Sequence, residues 1–210
     1  MRLRTYGCSF TNYIWPTWNS FLALDPTFKE YDNWGLQGLG NQAISERFIE
    51  SIVEKPLTKK DVVIIEWSGI ERFDYFQLPN GWTNTGALAW AGWADQRWFD
   101  TFYSHEGYAM HWLNRVAQCM LILEKSPATW YMTTMSDMGL FKEPDLSKGN
   151  NNDIWAIDPK LSKYKNIFER NREHWLHDFT EQEGEHHWFD PAKDKHPWRD
   201  WHLTPAQHLW

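Results

Sequence analysis

The sequence predicts an α/β fold, a three-layer doubly wound sandwich around a mostly parallel central sheet, on three observations. Asp61-Val62-Val63-Ile64-Ile65-Glu66-Trp67 is a continuous apolar, β-branched run, which is how a strand buried on both faces reads. Ahead of it, Ile44, Phe48, Ile49 and Ile52 recur at spacings of three and four, the period of an amphipathic helix. A strand-like stretch at 28–33 precedes that helix, so two βα units follow one another, and successive βα units build a parallel sheet covered by helices.

The elements follow in order. A short strand at 2–5 stops at Tyr6-Gly7, where glycine permits a sharp turn in front of an exposed side chain. Pro16-Thr17 opens a helix over 18–24, and Asp25-Pro26 closes it. The strand at 28–33 runs into a loop with Gly35, Gly38 and Gly40, and the helix that starts at Asn41 is stopped by Pro56. Residues 75–100 carry Pro, Asn, Gly and several Trp without a period. They are expected to form an irregular excursion over the carboxyl ends of the strands, the edge at which open α/β sheets bind ligands. A long helix is predicted over 104–124, with Tyr108, Trp112, Val116, Met120 and Leu123 on one face, and a strand over 128–133. Residues 137–159 have loop composition, centred on Gly149-Asn150-Asn151-Asn152-Asp153, and 160–179 read as a charged helix.

A chain of 210 residues can bury one α/β core, so 1–210 is read as a single domain. Cys8 and Cys119 lie on unrelated patterns and read as two free thiols in a reducing compartment. No stretch has the length of a signal-peptide core or a membrane span. A soluble protein is therefore expected, cytoplasmic or otherwise lacking a signal peptide, with no membrane partner. A net charge of −7 at pH 7, with only short basic groups, argues against a nucleic-acid partner, because binding phosphates takes clustered Lys and Arg. Most of the 16 Trp fit core and half-buried packing, and the surplus points to a substrate groove where aromatic faces stack on sugar rings or acyl chains.

Four segments carry groups suited to attack on an ester carbonyl, which needs an activated hydroxyl and donors aimed at the developing oxyanion. Gly7-Cys8-Ser9-Phe10-Thr11 puts a serine just beyond the first strand. Asn33-Trp34-Gly35-Leu36-Gln37-Gly38-Leu39-Gly40-Asn41 brings backbone N–H groups and a helix N-terminus to the same edge. Its glycines stand in the reverse of the dinucleotide-binding order and follow the second strand, so no nucleotide cofactor is expected. Trp67-Ser68-Gly69-Ile70-Glu71-Arg72-Phe73-Asp74 places polar groups at the end of the apolar strand. Asp200-Trp201-His202-Leu203-Thr204-Pro205-Ala206-Gln207-His208 sets an acid two residues before a histidine, with Thr-Pro opening a last helix.

Together these segments resemble, in order, the conserved blocks of the SGNH (GDSL-like) hydrolases. Gly7-Cys8-Ser9-Phe10 is similar to the Gly-Asp-Ser block with Cys8 in place of Asp, Gly38-Leu39-Gly40-Asn41 to the second block, and His202-Leu203-Thr204-Pro205 to the histidine block. The resemblance implies a flavodoxin-like SGNH fold and a cofactor-free, metal-free esterase acting on a small-molecule or glycan ester. Acetylated carbohydrate is the first substrate to consider, with short acyl esters and thioesters beside it. It assigns Ser9 as nucleophile, His202 as general base, Asp200 as its orienting acid, and the N–H groups of Ser9 and Gly38 as oxyanion donors. The third block of the family carries an asparagine, yet Ser68 to Glu71 has none, so Asn41, Ser68 or Arg72 is expected to substitute. The family acid lies three residues before the histidine and Asp200 only two, which leaves Asp194, in Asp194-Lys195-His196-Pro197, as a second choice.

Two other readings stand beside this one. Glu185-His186-His187 with Asp190, Asp194 and His196 has metal-ligand chemistry, but adjacent histidines point apart on most backbones, and a solvated polar loop is the expectation. A non-catalytic SGNH-like module that binds glycans through its Trp-rich face is the alternative that the missing asparagine favours.

Overall fold

The structure, a computed structural model, describes residues 1–79, 81–87, 96–135, 138–141 and 153–176. Four strands, β1 (Arg2–Tyr6), β2 (Glu30–Asn33), β3 (Asp61–Trp67) and β6 (Thr129–Thr134), form one parallel sheet in the order β2-β1-β3-β6. Helix α1 (Trp18–Leu22) joins β1 to β2, α2 (Asn41–Glu54) joins β2 to β3, and α4 (His105–Leu123) leads into β6. The chain therefore goes from β1 to one side and then crosses to the other, which makes the gap between the ends of β1 and β3 the topological switch point. The predicted fold class is the one observed.

Alternation along β3 divides the core. Val63, Ile65 and Trp67 join Ala43, Ile44 and Phe48 of α2 and Trp112, Leu113, Val116 and Met120 of α4 in the larger cluster. Val62 and Ile64 turn to the other face, against Leu3, Trp18 and Phe28. A strand with apolar residues on both faces is thus satisfied by helices on both faces.

Residues 75–100 differ from expectation. Arg72–Gln77 (β4) and Gly81–Ala87 (β5) pair antiparallel as a hairpin, and Gln96–Phe102 forms α3. The hairpin was hidden because its aromatic residues fall on both of its faces: Phe76 packs edge-on to Trp82 and Phe73 edge-on to Trp98. Gly81, at φ 80°, supplies the turn. Within the stretch read as a loop, Ile154–Ile157 (α5) makes one helical turn capped by the Asp153 carboxylate, while residues 142–152 lie outside the described ones. The helix expected over 160–179 is broken into a 3-10 turn (Pro159–Tyr164), α6 (Lys165–Arg170) and a second 3-10 turn (Arg172–His174). Asn171 leaves the helical conformation there, its side chain donating back to the Ile167 carbonyl at 2.8 Å and across to Glu124 at 2.7 Å. Trp175 then bridges Met132 in the parallel sense, so the chain runs alongside β6 in the same direction.

Candidate active site

β1 delivers the Gly7-Cys8-Ser9 turn to the switch point. The Thr11 and Asn12 N–H groups both donate to the Cys8 carbonyl at 3.0 Å, which closes the turn tightly around Ser9. Gly7 is obligatory: a Cβ there would stand 2.0 Å from the Thr11 hydroxyl oxygen. The sequence suggested an exposed serine, but Ser9 is only 4 % exposed, its turn being tied to the segment that follows β2 and to the end of β3.

Leu36 N–H donates to the Gly7 carbonyl at 3.1 Å, Asn12 Nδ2 to the Gly35 carbonyl at 2.8 Å, and Asn33 Nδ2 to the Thr11 carbonyl at 3.0 Å. Gly38 takes φ 74°, a left-handed conformation that favours glycine, in the segment between these bonds and α2. On the side of β3, Glu66 accepts the Thr11 hydroxyl and, at 3.0 Å, the Trp18 indole N–H.

The three residues considered as substitutes for the missing asparagine differ. Asn41 accepts the Ser68 N–H at 2.8 Å and gives both amide protons to backbone, at 2.9 Å to the Ser68 carbonyl and 3.0 Å to that of Gly69. It fixes the turn after β3 and has no proton to spare. Ser68 Oγ has a weak acceptor, the Met135 sulfur at 3.3 Å, and Arg72 Nη1 donates to the Leu39 carbonyl at 2.9 Å. Ser68, by a side-chain hydrogen bond, and Arg72, by its charge, both pull the Cys8 thiol down against the effect of its burial.

Beyond Asn41 and Arg72 opens a cavity of about 380 Å³, walled by Phe73, Tyr108 and Trp112 and by the polar groups of Asp74, His111 and Arg115 among others. Ser9 does not line it, whereas Asn41 and Arg72 do. Asp74 accepts the Gly40 and Ala43 N–H groups at 2.7 and 3.0 Å, so β4 supplies the cap of α2. Burial pushes the Asp74 carboxyl above its ordinary range against the pull of those two donors and of Arg72 and Arg115.

Asp200, His202 and Asp194 lie outside the described residues, as does the Glu185-His186-His187 group. Among the described residues no three His, Cys, Asp or Glu side chains gather as a metal site, and no helix is long and apolar enough to cross a membrane. Sequence reasoning missed Thr11, Glu66 and Asp74. Only Glu66 had a visible signal, a carboxylate inside an otherwise apolar strand.

No family model matches the chain, and no curated protein matches it. Solved structures do. A putative acylhydrolase from Bacteroides fragilis is 18% identical, with 99% of this chain and 81% of that one covered at a TM-score of 0.49. A GDSL-like lipase from Bacteroides thetaiotaomicron is 15% identical, with 99% and 82% covered and a TM-score of 0.49. An acetylxylan esterase from Geobacillus stearothermophilus is 15% identical, with 99% and 89% covered and a TM-score of 0.46.

Proposed function

We propose that the chain is an SGNH-type serine hydrolase that cleaves ester bonds through Ser9, His202 and Asp200. The observation that carries this reading is the placement of Ser9: a serine in a tight, glycine-dependent turn at the carboxyl end of β1, at the switch point of a parallel sheet. Gly38 and its left-handed backbone stand in the neighbouring segment, which fits the N–H groups of Gly38 and Ser9 as oxyanion donors.

In this mechanism Ser9 Oγ attacks the acyl carbon while His202 takes its proton. The tetrahedral oxyanion collapses, the C–O bond to the alcohol breaks, and His202 returns the proton to the leaving oxygen. Water then attacks the acyl-serine with the same base, releasing the acid and free Ser9. Asp200 orients the imidazole and stabilises its cation. The cavity beyond Arg72, with aromatic walls and polar groups between them, offers room for the alcohol part, and acetylated carbohydrate is the first class to test.

The test is p-nitrophenyl acetate turnover together with labelling by a fluorophosphonate probe. Wild type should do both, Ser9→Ala neither, and His202→Ala should lose about a thousandfold or more in kcat. Asp200→Asn should be impaired and Asp194→Asn unaffected; the reverse would move the acid to Asp194. The commitment of both Asn41 amide protons to backbone favours a second reading, a glycan-binding module without turnover. Wild type that is neither labelled nor active, and indistinguishable from Ser9→Ala, would leave that reading in place of the hydrolase.

A further inference from the structure

We infer that Glu66, acting through Thr11, is a positioning residue for the Ser9 nucleophile; this rests on the proposed role of Ser9. Thr11 is the hub of the turn and is fully buried. Its N–H donates to the Cys8 carbonyl at 3.0 Å, and its own carbonyl accepts from Thr17 Oγ1 at 2.8 Å and Asn33 Nδ2 at 3.0 Å. Its hydroxyl crosses over Gly7 to the Glu66 carboxylate on the neighbouring strand. The Gly7 position has no room for a Cβ because the Thr11 side chain occupies that space, and the same Cβ would lie 3.2 Å from Glu66 Cβ.

Gly7, Thr11 and Glu66 therefore form a clamp. It ties the turn that carries Ser9 to the carboxyl end of β3, and its last link is one hydroxyl–carboxylate hydrogen bond. A carboxylate 4 % exposed at the end of an apolar strand is costly unless it is well paired, and here its pairing is what fixes the turn. Trp18 Nε1 reaches the same Glu66 oxygen at 3.0 Å from the face of the sheet that carries Val62 and Ile64, so two donors converge on one carboxylate oxygen. Nucleophilic attack is sensitive to displacements on the order of 1 Å, so loosening this link should lower the rate of attack and leave substrate affinity alone.

Thr11→Val keeps the shape of the side chain and removes the hydroxyl, Thr11→Ser keeps the hydroxyl, and Glu66→Gln removes the charge. With p-nitrophenyl acetate, Thr11→Val and Glu66→Gln should lower kcat by about tenfold to a hundredfold with KM within about twofold, and Thr11→Ser should restore most of it. Amide hydrogen exchange gives a readout that needs no turnover. In Thr11→Val the Thr11-position and Asn12 amides should exchange about tenfold faster or more, while Val63 to Ile65 of β3 keep their protection.

Unchanged exchange at these two amides overturns the clamp, as does a loss in which kcat and KM move together and Thr11→Ser gives no rescue. Failure of the hydrolase reading looks different. Wild type is then inactive and unlabelled, and the exchange experiment alone decides whether Glu66 and Thr11 set the turn.

Discussion

Ser9 and Cys8 are neighbours in one turn with opposite prospects. Cys8 is completely buried, and burial pushes its thiol up, with Glu66 adding to the effect and Arg72 and Ser68 opposing it. Cys119 is in the same state within α4, pushed up to about 12 by burial alone against a small opposing pull from Arg115. Neither thiol should compete with Ser9 for an electrophile. At pH 8 the native protein is expected to show no fast reaction with Ellman's reagent, and both cysteines should appear once guanidinium unfolds it. A rapid thiol in the native state would contradict the burial that defines the Cys8 side of the turn. That the two cysteines are unpaired was legible in the sequence, since their patterns are unrelated. The roles of Asn41 and Thr11 were not, because each is defined by a partner tens of residues away, Ser68 for one and Glu66 for the other.

At the scale of elements, α2 shows how the hairpin and the site depend on each other. Its first turn is capped not by its own Gly40 but by Asp74 from β4. Gly40 is required because a Cβ there would meet Arg72 Cβ and the Asp74 carboxylate, each at 2.7 Å. Asp74→Asn leaves one acceptor oxygen for two N–H groups and should cost about 1 kcal/mol at pH 7. The pH dependence has a definite sign. Asp74 has a folded-state pKa raised by burial, so its stability contribution is greatest below the ordinary carboxylate pKa and shrinks as pH rises toward the folded value. The melting-temperature gap between wild type and Asp74→Asn should therefore widen as pH falls from 7 toward 4, and a gap that narrows would refute the assignment. The elements with one clear period were readable: β3 by its apolar run, α2 and α4 by their spacing. The β4–β5 hairpin was not, since Phe73, Tyr75, Phe76 and Trp82 serve both of its faces and leave no alternation to detect.

Over the whole molecule the two edges of the sheet carry different groups. Its carboxyl edge holds the Ser9 turn; its amino edge holds a buried ionic cluster in which Asp61 of β3 pairs with Arg2 and, at 3.4 Å, with Arg4 of β1. Arg4 continues to the far end of α2, donating to the Lys55 carbonyl at 2.7 Å, so one group of charges joins two strands and a helix C-terminus. Burial raises the Asp61 carboxyl, but the Arg2 bond, the Thr58 N–H and hydroxyl, and the Arg4 charge together hold it below its ordinary range. A depressed folded-state pKa contributes stability above the ordinary value and loses it as pH falls through the folded one. Asp61→Asn should therefore cost about 3–5 kcal/mol at pH 7, because Arg4 stays buried without a carboxylate and Arg2 keeps only Asp32 at 3.9 Å, and should flatten the loss of stability expected of wild type below about pH 4. Urea midpoints measured from pH 7 to pH 3 check this, and parallel slopes for the two proteins would contradict it. The five residues of β1 keep the two edges about 16 Å apart. For Asp61→Asn molecules that remain folded, fluorophosphonate labelling of Ser9 should then proceed at the wild-type rate. A labelling rate that falls along with stability would mean that the amino-edge cluster and the Ser9 turn move as one unit.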